Sequence, residues 1–77
     1  MTRRIAPNAI IDHLTKAGHH DFHVREDSPR TCRVIHDGPD EAAHLTAYAQ
    51  VLRSHGYTVT PQAATNIRPN RLKVTHP

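Results

Sequence analysis

The chain has 77 residues, with ten Lys and Arg against seven Asp and Glu, giving a net charge of +3 when its eight histidines are neutral. Its one cysteine excludes the disulfide framework of small secreted domains, and the opening Met1-Thr2-Arg3-Arg4-Ile5-Ala6-Pro7 has no apolar run to act as a signal peptide or membrane anchor. These features point to a single small domain spanning residues 1–77, cytoplasmic, with no membrane partner and a charge that permits an anionic one.

Residues 7–17 predict a first helix. Pro7 suits the first turn, Ile10, Ile11 and Leu14 recur at helical spacing, and Gly18 supplies a left-handed terminator. Phe22 and Val24 then alternate with His23 and Arg25, the signature of a strand with one apolar side. Asp27, Ser28 and Pro29 read as a three-residue turn, after which Cys32 and Val34 alternate with Thr31, Arg33 and Ile35. That loop length places Phe22 opposite Val34 and Val24 opposite Cys32, so all four share one face, and it puts His20 opposite His36.

A second helix is predicted from a cap at Asp37 or Gly38, with Pro39 just inside it and Asp40 and Glu41 at the positive end of its dipole. Leu45, Tyr48, Ala49 and Leu52 form its buried stripe, and Gly56 closes it. Tyr57 and Val59 alternate with Thr58 and Thr60 in a third strand that Pro61 ends. Residues 62–70 show no alternation and read as a loop, and residues 71–75 form a fourth strand with Leu72 and Val74 inward.

The second half echoes the first: residues 13–18 resemble 51–56, and residues 29–36 resemble 69–76. The fold expected is therefore α+β. Two α-β-β repeats, about 7–36 and 38–76, form a four-stranded antiparallel sheet with two helices packed on one face.

In that fold the opposite sheet face carries His23, Arg25, Thr31, Arg33, Thr58, Thr60, Arg71, Lys73 and Thr75, with no acid among them. Such a face suits the phosphate backbone of DNA or RNA, with His23, Arg25, Arg33, Arg71 and Lys73 as the grip and Arg3 and Arg4 as a basic arm. It has no aromatic platform for stacking bases, so any binding is led by phosphates. Two helices separated by a hairpin also cannot make a helix-turn-helix. The first expectation is thus a non-enzymatic, regulatory nucleic-acid-binding module. The alternative is a protein-interaction or adaptor domain acting through a homodimer or through exposed strand edges.

Other chemistry is weaker. His20 with His36 is the best pairing for a metal, yet no cysteine pair or helical histidine pair completes it, so no metal or other cofactor is expected. Cys32 sits at an inward strand position, where a thiol packs rather than reacts. His23, His36 and Lys73 can be drawn as a nuclease-like trio, but any histidine-rich chain allows that, and no catalytic residue is assigned.

Overall fold

The structure is a computed structural model and describes residues 4–66 and 70–77. Elements follow in the order α1 (Pro7–Lys16), β1 (Phe22–Ser28), β2 (Thr31–His36), α2 (Glu41–Ser54), β3 (Thr58–Gln62) and β4 (Arg71–Thr75). The α-β-β order recurs, and the strands form one antiparallel sheet in the order β1-β2-β4-β3. The α+β class read from periodicity is therefore the class observed. No helix among the described residues is long and apolar enough to cross a membrane.

In α1, Pro7 occupies the first turn, where its missing N–H breaks no helical bond, and Ile10 and Leu14 are fully buried. Gly18, at φ +94°, turns the chain out, and its N–H reaches the Thr15 carbonyl at 3.0 Å. Ile5, just ahead of the helix, is 1% exposed, and its N–H donates to the Pro29 carbonyl at 2.8 Å. This short strap ties the N-terminal segment to the tip of the first hairpin.

Helix α2 starts later than its sequence cues suggest. Asp40 is the N-cap in the left-handed region (φ 57°), without a side-chain capping bond, so Pro39 lies outside the helix. The segment before it is held by His36, whose Nε2 lies 3.0 Å from the Pro39 carbonyl and whose Nδ1 lies 2.6 Å from the Tyr48 hydroxyl. A carbonyl only accepts, so in the neutral ring Nε2 carries the proton and Nδ1 accepts from Tyr48. The buried ring thus pins the end of β2 and the connection to the second turn of α2.

The first hairpin also differs from its expected register. Phe22 pairs with His36 and Val24 with Val34, two residues away from the spacing a three-residue turn would give. Strand β1 continues to Ser28, which pairs with Thr31. Pro29 and Arg30 make the turn, and Asp27 is taken up in an irregularity between Glu26 and Ser28. The apolar residues keep their shared face because the shift is even. In the second hairpin Pro61 does not end β3 but pairs with Leu72 inside it. Its missing N–H is tolerated because β3 is an edge strand.

One core cluster joins Ile10 and Leu14 of α1 and Leu45, Tyr48, Ala49 and Leu52 of α2 with Cys32, Val34, Val59, Leu72 and Val74 of the sheet. Phe22, Val24 and Val51 pack against its margin. Ile35, at an outward strand position by alternation, is only 7% exposed, so the opposite face is not fully open.

The halves meet at β2 and β4, where Cys32 pairs with Val74, Arg33 with Lys73 and Val34 with Leu72. With residue 33 taken as the counterpart of 73, this ladder maps onto itself. The hairpins follow the same rule: Val24 pairs with Val34 as Val59 pairs with Val74. A pseudo-two-fold axis therefore passes through the Arg33 and Lys73 pair.

Candidate functional site

That axis organises the basic face. Arg25 pairs with Arg33, Arg33 with Lys73, and Lys73 with Thr60, so a single rung running across all four strands carries three consecutive cations and a hydroxyl. Paired residues on one sheet face stand about 4.5–5.5 Å apart at Cβ, so these side chains leave the sheet as neighbours, and like charges directly opposite are destabilising.

The sequence expectation of an acid-free face is corrected by two carboxylates. Asp27, the next outward position of β1 after His23 and Arg25, places Oδ2 3.1 Å from Nε of Arg33, and Asp37 accepts from Nδ1 of His23 at 2.8 and 2.9 Å. Relief of the rung is partial. Arg33 Nε and Nη1 are buried and neither makes an aligned hydrogen bond, the contact with Asp27 being ionic only. Arg25 and Lys73 have no ion pair among the described residues.

The structure thus groups Arg25, Arg33 and Lys73 and separates the other expected residues. His23 is engaged by Asp37. Arg71 pairs with Gln62 on the edge strand and lines a cavity against α2. Arg4 is exposed beside Ile5, near the hairpin tip, and Arg3 lies outside the described residues, as does Pro69 of the repeat.

His20 does not face His36, whose strand partner is Phe22, and no three His, Cys, Asp or Glu side chains converge among the described residues. His23 and His36 lie on opposite faces, so the nuclease-like trio does not assemble. The Cys32 thiol is fully buried, and its pKa is pushed up to about 11 by burial first and then by Glu26 and Asp27. A thiol so protonated packs rather than attacks.

Sequence reasoning missed what the histidines do. His36 stacks on His44 at a centroid distance of 4.0 Å and His13 on His55 at 3.8 Å, while His19 meets the edge of Tyr48 and His76 lies against Tyr57. These six rings supply aromatic packing in a chain with only three Phe and Tyr residues. Comparison with protein-family models, with curated proteins and with solved structures gave no match to the chain.

Proposed function

We propose that this protein is a small non-enzymatic module that grips the phosphate backbone of nucleic acid with Arg25, Arg33 and Lys73. The observation that carries this reading is the three-cation rung: adjacent positive side chains held on one sheet face, of which only the middle one meets a carboxylate, favour an anion that bridges them. Thr60 extends the rung with a neutral donor. The core-facing side holds Phe22 and Tyr57, so no Phe or Tyr is presented for stacking, the His23 ring is held by Asp37, and recognition is independent of sequence.

The sheet edges support this reading over strand addition. Edge strand β3 contains Pro61, which cannot donate to an incoming strand, and edge strand β1 is charged and irregular at Glu26-Asp27-Ser28. Both are devices that blunt edge pairing.

The test is anisotropy of a labelled 20-base-pair duplex across a salt series. Three neutralised phosphates give a slope of log K against log salt of about −2.7, and Lys73→Ala or Arg25→Ala reduces its size by about one. Lys16→Ala, on α1 and paired with Asp12, leaves it unchanged. Absence of binding at low salt, or slopes insensitive to Lys73 and Arg25, overturns the proposal.

A further inference from the structure

The cationic rung has a second row beside it on the same sheet face. Side chains two residues apart along a strand share a face, so Thr31 lies next to Arg33 on β2, Thr75 next to Lys73 on β4, and Thr58 next to Thr60 on β3. Thr58 and Thr75 are partners across the β3-β4 ladder. The step from one row to the next is about 6.8 Å, two residues at about 3.4 Å each. Strand β1 contributes Asp27 to this row, with its carboxylate turned to Arg33. The row is therefore acidic at its β1 end and hydroxylic across the other three strands.

Among the described residues the side chains of Thr31, Thr58, Thr60 and Thr75 have no hydrogen-bond partner, and Thr58 and Thr60 are exposed. A threonine hydroxyl both donates and accepts, and so does the ribose 2′-hydroxyl. Deoxyribose offers no such group.

Shape points the same way. Four strands at spacings of about 4.7–4.9 Å make a face roughly 14 Å across, broader than either groove of B-form DNA, which are about 6 and 12 Å wide. Against DNA this face reaches phosphates alone. An A-form RNA helix instead has a wide, shallow minor groove that displays its 2′-hydroxyls beside the phosphates. There a row of cations meets phosphates while the neighbouring row of hydroxyls meets sugars.

Resting on the phosphate grip proposed above, we infer that the nucleic acid preferred by this face is double-stranded RNA, with Thr58 and Thr75 bonding its 2′-hydroxyls. Arg25, Arg33 and Lys73 supply affinity for any phosphate backbone, and the threonine row tells ribose from deoxyribose.

The probes are 20-base-pair duplexes of one sequence in RNA, in DNA and in 2′-fluoro RNA, which keeps the A form without the hydroxyl, followed by anisotropy at one salt concentration. RNA should bind about tenfold more tightly than DNA, the factor that two neutral hydrogen bonds supply. The 2′-fluoro duplex should fall to the DNA level. Thr58→Val combined with Thr75→Val keeps β-branched side chains at two outward strand positions, so the fold should hold by circular dichroism while the RNA affinity drops to the DNA value. Equal binding of RNA and DNA, both still weakened by Lys73→Ala, overturns this inference and leaves the phosphate grip standing. Failure of all three duplexes to bind overturns both. An RNA advantage kept by the 2′-fluoro duplex, or by the folded double variant, assigns the preference to helix shape and overturns the role of the threonines.

Discussion

His13, on α1, lies with its ring centroid 3.8 Å from that of His55, the residue that caps α2, and it makes an edge contact with Tyr57 at 5.8 Å, which in turn meets His76 at 4.9 Å. Burial lowers the His13 pKa below 6.5, the charge of His55 lowers it further, and Asp12 opposes this more than Lys16 adds to it. A depressed histidine pKa means that the unfolded chain takes up the proton first as pH falls through 6.5, so stability declines from there until the folded-state pKa is passed. Above that window the ring is neutral in both states and contributes no pH dependence. Thermal unfolding followed from pH 8 to pH 5 should therefore show a smaller fall in Tm for His13→Gln than for the parent chain. Parallel falls would show that the stack does not discriminate between protonation states.

Each helix ends in a glycine at positive φ, Gly18 at +94° and Gly56 at +89°. A Cβ built on Gly56 meets no heavy atom within 4 Å, so alanine there is opposed by backbone conformation alone. Gly56→Ala should cost about 1–2 kcal/mol, the penalty for a left-handed L-residue. A domain of this size loses roughly 4–8 °C in Tm for each kcal/mol. An unchanged Tm, read by thermal circular dichroism, would exclude this account of how α2 stops. These terminators were legible in the sequence, as were both buried stripes and the inward strand residues, because each is a local or periodic signal. The hairpin register was not, since Asp27-Ser28-Pro29 resembles a turn whereas β1 absorbs Asp27 and turns at Pro29 and Arg30. The start of α2 was hidden for a different reason: Pro39 is a good first-turn residue in isolation, but its carbonyl is taken by His36 and the left-handed Asp40 follows it, so the helix begins at Glu41. In the site, alternation revealed Arg25, Arg33 and Lys73, but Asp27 resembles a turn residue although it continues the alternation of His23 and Arg25, and Asp37 reaches that face from the segment after β2, which no period encodes.

At the scale of the molecule, the β2-β4 ladder joins two halves neither of which encloses a core. Leu14 and Val34 of the first meet Leu52 and Leu72 of the second within one cluster. Chains below about 40 residues seldom fold without a disulfide, a metal or a partner. Peptides covering residues 4–38 and 39–77 should each lack helix and strand signals by circular dichroism, while the intact chain unfolds in one transition. A folded half on its own would contradict the shared core. On the polar face of the same sheet the halves differ at every counterpart position off the axis: Arg25 stands where the other half has Thr60, His23 where it has Thr58, Ile35 where it has Thr75, and Arg71 where it has Thr31. The axis itself allows no such independence while the halves stay alike, because whatever residue sits there confronts its own twin. Arg33 and Lys73 are the pair at which unlikeness would be most welcome electrostatically, and there both halves carry a cation.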